Sequence, residues 1–242
     1  MQNVSDNIII IPARGKSKGI KNKNLYRFCD KPLLYWTLRQ AFMSKKCKKV
    51  YVTSDSNKIL KFAKDQGAEI IKRPQKYSLD TSPSEEAILH AMREIKEDYK
   101  TVVLLQATSP LRKRNDVDNA LHKFYKTKSD SLFSCHDASH NFDIWHFKKN
   151  KTSPLFVESH KTFYTKRKPR QLIKKNYFQQ NGSIYIFTKE LIKKIKNRLG
   201  GNINVYEMDE WQSFQLDCKK QLCYMQLLFE KFLKKDYSRP FL

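Results

Sequence analysis

Residues 11–24 read IPARGKSKGIKNKN, and the chemistry on offer there is cationic. Arg14, Lys16 and Lys18 surround Ser17 directly after an apolar run at residues 8–11 that has the pattern of a buried strand. The turn after a strand in an α/β fold is where backbone amides and cations can be presented together to phosphate. Several cations beside one turn can neutralise a triphosphate, although the same residues would also make an ordinary solvated basic loop. The GKS at residues 15–17 invites comparison with the phosphate loop G-x-x-x-x-G-K-[ST]. The first glycine of that pattern would fall on Ile10, so the loop is of another kind.

Other side chains with chemical potential are less organised. The six histidines show no HExxH spacing, and His90 falls on a helix face with the pattern of a structural residue. The five cysteines, Cys29, Cys47, Cys135, Cys218 and Cys223, form no CxxC pair, which fits reduced thiols in an intracellular protein.

The elements that must carry the loop follow an alternating pattern. Strand-like segments at 8–11, 50–55, 68–71, 101–106 and 131–136 are separated by helical periods at 32–42, 57–67, 82–97 and 114–125. Gly67 is placed to end the second helix, and Ser82-Pro83-Ser84 with Glu85 and Glu86 opens the third. This succession predicts an open α/β sheet with helices on both faces and a ligand at the carboxyl ends of the strands. Between residues 140 and 175 the period is lost in an aromatic, basic stretch with two prolines, read as an inserted arm. Regularity returns at 181–195, 203–208 and 214–217. A last amphipathic helix puts Leu222, Met225, Phe229, Phe232 and Leu233 on one stripe.

With 242 residues, one domain spanning 1–242 with an insertion is expected. The formal charge of +24 suggests affinity for anions, but the lysines are spread along the chain and not gathered into a stripe with interleaved aromatics. That distribution favours a solvated surface over a nucleic-acid interface. The polar start MQNVSDN and the lack of an apolar stretch of about 20 residues predict a soluble, cytoplasmic protein with no membrane partner.

The loop also carries a resemblance. IPARGKSKGIKNKN is similar to the signature IPARxxSKGxxxKN of the CMP-nonulosonate synthetases, the cytidylyltransferases that activate sialic, legionaminic and pseudaminic acids. Ile11, Pro12, Ala13, Arg14, Ser17, Lys18, Gly19, Lys23 and Asn24 match in register. Further segments resemble the family in order: SDS at 54–56, KRP at 72–74, LDTSPSEEAILHA at 79–91, LLQATSPLR at 104–112, NGSIYIF at 181–187 and WQSFQLD at 211–217.

The resemblance implies a Rossmann-like, mixed-sheet nucleotidyltransferase fold. It also implies that the segment 140–175 is an arm that builds a homodimer and reaches over the partner's sugar site. The implied reaction transfers CMP from CTP to the C2 hydroxyl of a nine-carbon 2-keto sugar acid. Arg14, Ser17, Lys18, Lys23 and Asn24 would face the triphosphate and ribose, with Lys23 stabilising charge at the reacting phosphorus. Arg73 and Ser84 would read cytosine, while Gln106, Asn181, Tyr185 and Arg170 would hold the sugar acid. Asp217 would hold Mg²⁺, with Arg14, Lys23 and Asp217 forming the catalytic set. The chain departs from the family where Gln215 replaces the first aspartate of a D-x-D, and where Lys220 and Gln221 stand downstream. Fewer carboxylates imply that the metal arrives mainly with the nucleotide. A synthetase for the eight-carbon acid Kdo, a basic nucleic-acid-binding module and a non-catalytic relative are the alternatives.

Overall fold

The computed structural model describes residues 6–138, 145–148, 156–159 and 178–237, with backbone alone for 145–148 and 156–159. The first strand, β1 (Asn7–Pro12), explains its own composition. Ile9 and Ile11 point into one apolar cluster, while Ile8 and Ile10 point into another on the opposite face of the sheet. A strand covered on both faces needs a continuous apolar run where a one-sided strand would alternate. Each fully buried isoleucine there is worth about 1.5–3 kcal/mol of transfer free energy.

After β1 the chain forms a short ribbon, β2 (Arg27–Phe28) with β3 (Lys31–Pro32), and enters helix α1 (Leu33–Met43). Then follow β4 (Lys49–Ser54), α2 (Asn57–Asp65), β5 (Glu69–Lys72), α3 (Ser84–Glu94) and β6 (Thr101–Leu105). Gly67 ends α2 with φ of 90°, and the next amide, Ala68 N, donates back to the Ala63 carbonyl at 3.0 Å. The chain continues with α4 (Asp116–Lys126), β7 (Ser131–Asp137), β8 (Trp145–Lys148) and β9 (Phe156–Ser159). It ends with β10 (Phe178–Thr188), α5 (Lys189–Ile195), β11 (Ile203–Glu207), α6 (Leu222–Phe232) and α7 (Lys234–Tyr237).

The main sheet has the order β11-β7-β10-β6-β1-β4-β5. β10 runs antiparallel to both of its neighbours, and the other pairings are parallel. The expected mixed α/β sheet is therefore observed. Helices α1, α2 and α4 cover one face, and α3 and α5 cover the other. Among the described residues, β8 and β9 pair with each other as a separate two-stranded ribbon inside the predicted insertion.

Two details differ from the sequence reading. Residues 214–217 form no strand; they run extended between two short 3₁₀ turns, tied by Leu216 N to the Thr108 carbonyl at 2.8 Å. The stripe on α6 is also narrower than its period implied. Met225, Phe229 and Leu233 are buried with Trp36 and Ile20, whereas Phe232 points outward and stacks on Trp211 at 4.6 Å. No helix among the described residues is long and apolar enough to cross a membrane.

Candidate active site

Because β1, β4, β5 and β6 are parallel, their carboxyl ends open on one edge of the sheet, and the loop after each strand is delivered to the same place. A cleft of about 340 Å³ lies there. Its walls include Arg14, Ser17, Lys23 and Asn24 from the loop after β1, Arg73 after β5, Ser84 at the start of α3, and Gln106 after β6. Seven of the residues expected to form the site are thus brought together.

The loop after β1 is pinned at several points. Ala13 N donates to the Thr53 carbonyl at 3.0 Å, and Gly15 N donates to Asp55 Oδ1 at 2.8 Å. The buried side chain of Asn24 donates from Nδ2 to the Arg14 carbonyl at 2.9 Å, closing the loop on itself. Asn22 takes a left-handed conformation with φ of 54° just before the turn that carries Lys23. The far side of the loop meets the segment around Asp217 so closely that a Cβ on Gly19 would run into the Asp217 carbonyl oxygen. Across that contact Lys23 Nζ lies 2.9 Å from Asp217 Oδ1. The lysine is largely sheltered, at 15% exposure, while the carboxylate opens to solvent at 63%.

Charge in the cleft is balanced by two acids that the sequence analysis did not assign to the site. Asp80 takes Arg14 Nη1 at 2.6 Å on one oxygen and Lys18 Nζ at 3.2 Å on the other. Hydrogen bonding to Lys18, and then to Arg14, holds its carboxyl below the usual aspartate range. Asp55 lies 3.8 Å from Arg73 Nη2. Burial pulls the Arg73 guanidinium down from its ordinary value and the Asp55 carboxylate opposes that pull. Both acids sit inside segments already matched by motif, SDS and LDTSPS; only their tertiary partners reveal what they hold.

Gln106 is positioned by Arg112, the last residue of LLQATSPLR. Arg112 is fully buried and donates to the Gln106 and Ser183 carbonyls at 2.7 and 2.8 Å and to Gln40 Oε1 at 2.8 Å. Burial lowers its pKa to about 10, so it remains charged near neutrality. A charge this deep is tolerated because both terminal nitrogens, Nη1 and Nη2, are paired with oxygens, although its buried Nε is not.

Asn181 and Tyr185 are not brought to the cleft. β10 shifts register between Gln180 and Tyr185, and Asn181 fills that irregularity. Asn181 Oδ1 accepts from Ser134 Oγ at 2.6 Å and from Ser183 N at 3.2 Å, leaving its amide committed to the sheet. Tyr185 belongs to the core beneath α3, with the Arg198 guanidinium 4.3 Å above its ring. Lys18 stands at the rim, 80% exposed. Arg170, and most of the segment 140–175, lie outside the described residues.

The metal question turns on Asp217 and Gln215. Gln215 Nε2 donates to the Asn181 carbonyl at 2.8 Å, and Thr108 Oγ1 reaches its Oε1 at 3.5 Å. That amide therefore braces β10 and cannot act as a second carboxylate. Among the described residues no group of three or more potential ligands is gathered. One exposed carboxylate fits a divalent ion whose other ligands are phosphate oxygens and water.

Residues 8–231 match the family described as Cytidylyltransferase. The chain belongs to that family. Within it, the chain is 32% identical over 218 residues to an N-acylneuraminate cytidylyltransferase of Escherichia coli O18:K1:H7, covering 87% of this chain and 49% of that one. It is 30% identical over 243 residues to the post-translational flagellin modification protein B of Campylobacter coli, covering 97% and 100%. The chain thus spans about half of the first relative and the whole of the second. A solved structure described as CMP:2-keto-3-deoxy-manno-octonic acid synthetase complexed with CTP superposes with a TM-score of 0.71 at 17% identity, over 95% of this chain and 100% of that one, a likeness of fold.

Proposed function

We propose that this cytidylyltransferase transfers CMP from CTP to the C2 hydroxyl of a nine-carbon 2-keto sugar acid and releases pyrophosphate. The observation that carries the reading is convergence: seven residues from four separate sequence segments line one cleft. Similarity to an N-acylneuraminate cytidylyltransferase supports the acceptor class.

The hydroxyl oxygen attacks the α-phosphorus, the bond from that phosphorus to the bridging oxygen breaks, and pyrophosphate leaves with the electron pair as the hydroxyl proton is lost. Such a step depends on in-line placement and on neutralising charge. Arg14, Ser17 and Lys18 bind the β- and γ-phosphates. Asn24 keeps the loop closed against the ribose. Lys23, sheltered and fixed, holds positive charge beside the reacting phosphorus, where an oriented cation costs no reorganisation. Arg73 and Ser84 address the edge of the cytosine, and Gln106 orients the acceptor; Arg170 is proposed for the acceptor's carboxylate, while Asn181 and Tyr185 support the acceptor's side from within the sheet and core without touching it. Mg²⁺, held by Asp217 and the nucleotide, would supply neutralisation of the triphosphate. We place the reaction in the cytoplasm and read residues 140–175 as the arm of a homodimer. Support for an arm comes from β8 and β9, which among the described residues form a two-stranded ribbon separate from the main sheet.

The test is pyrophosphate release from each of the four nucleoside triphosphates with Mg²⁺ and a panel of N-acetylneuraminic, legionaminic, pseudaminic and eight-carbon acids. Release is expected with CTP and at least one nine-carbon acid. No release with CTP and any acid refutes the reading, and release with the eight-carbon acid alone moves the acceptor class.

A further inference from the structure

We propose that Asp80 is an internal competitor of the triphosphate, a carboxylate whose two oxygens occupy the cations that phosphate must use. The inference rests on the phosphate-site reading above and assigns Asp80 a positioning role. Its geometry is specific. Asp80 Oδ1 meets Arg14 Nη1 at 2.6 Å, and Oδ2 meets Lys18 Nζ at 3.2 Å. Both cations belong to the loop after β1, while Asp80 belongs to a different segment, between a short turn at Gln75–Tyr77 and α3. It nevertheless lines the same cleft.

Two consequences follow from charge alone. A phosphate oxygen at bonding distance from Arg14 or Lys18 lies within a few ångströms of the Asp80 carboxylate, where like charges repel most strongly. The carboxylate and the phosphate are therefore alternative partners for one pair of cations. The contest can be won by phosphate because the acid pairs are shallow. Arg14, Lys18 and Asp80 are 39, 80 and 41% exposed, and such pairs contribute little net stability. The segment's own ties are local: Ser82 bonds to near neighbours, through Oγ to the Lys76 carbonyl at 2.7 Å and through N to the Leu79 carbonyl at 3.2 Å. The carboxylate that opposes entry of a triphosphate equally favours departure of pyrophosphate, since it restores partners to both cations.

The experiment is calorimetric binding of inorganic tripolyphosphate to the full chain, which needs neither cytidine nor acceptor. Asp80→Asn keeps the side-chain shape and removes the charge, and it is expected to bind tripolyphosphate about tenfold more tightly at low salt, with the gain shrinking as salt is added. Asp80→Glu keeps the charge and is expected to bind like the parent. In turnover, Asp80→Asn should show a lower KM for CTP and stronger inhibition by pyrophosphate. Unchanged or weaker tripolyphosphate binding by Asp80→Asn overturns the proposal, because it makes Asp80 a scaffold for the cations. If neither the parent chain nor Asp80→Asn binds tripolyphosphate, the phosphate site falls and this proposal with it. If Asp80→Asn binds more tightly but CTP is not turned over, the competitor stands and the proposed reaction falls.

Discussion

The two sides of β6 treat their side chains differently. On the side of β1, β4 and β5, Arg14, Ser17, Lys23, Asn24, Arg73 and Ser84 lie in the connections that follow parallel strands, and all six line the cleft, with Lys18 at its rim. On the side of β10, the strand runs in reverse, and Asn181 and Tyr185 are drawn into the sheet and the core. The difference lies in what fixes direction. A loop at a strand's carboxyl end inherits its position from the sheet and needs only the right residue types. A residue within a strand points to a face set by register, and one irregularity changes which face that is.

The largest effect that would test this division is at Lys23. Lys23→Met removes the charge but keeps the length, and we expect kcat to fall by about a hundred- to a thousandfold. Thermal unfolding should be nearly unchanged, because the lysine's partner Asp217 is exposed and can be solvated. A loss of activity that tracked a loss of folded protein would place Lys23 with the structural residues of β10.

Asn181→Ala should do the reverse. It strips the acceptor from Ser134 Oγ and Ser183 N in a buried setting, at a cost of about 1–3 kcal/mol, read as a lower Tm. The acceptor's KM in the surviving folded enzyme should stay within about twofold, as expected for a side chain spent on the sheet. A rise of tenfold or more in that KM at unchanged Tm would break the comparison and return Asn181 to the site.

The same contrast explains how much was legible beforehand. The alternation of strand and helix was readable because β1 and β6 are buried on both faces and had to be continuously apolar. The anion loop was readable because its cations cluster within a few residues. Asp55 and Asp80 were quoted within matched segments yet went unassigned, since each acts through a residue on another loop, about 18 positions away for Asp55 and Arg73 and 66 for Asp80 and Arg14. Arg112 was quoted as part of LLQATSPLR, but nothing local says that its guanidinium is fully buried beneath Gln106. Gln215 read as a lost metal ligand. Its amide instead donates to β10, which a carboxylate could not do.

The smallest effect concerns His90, on the nucleotide side but behind the cleft wall. It is buried, packs 5.4 Å from the ring of Tyr77, and faces Glu94, with Arg93, Arg73 and Lys76 nearby. Burial holds its pKa below the usual histidine value of about 6.5, against a smaller opposing pull from Glu94. Between the folded value and 6.5 the unfolded chain binds more protons than the native one, so His90's contribution to stability is present above 6.5 and is lost as pH falls through that window. His90→Gln should flatten that part of the pH–stability profile, measured by urea unfolding between pH 7.5 and 5.5. The KM for CTP should not change with the same profile. If it did, proximity to Tyr77 would make His90 part of the base-reading wall, and the boundary between site and scaffold would run one layer deeper than the loops.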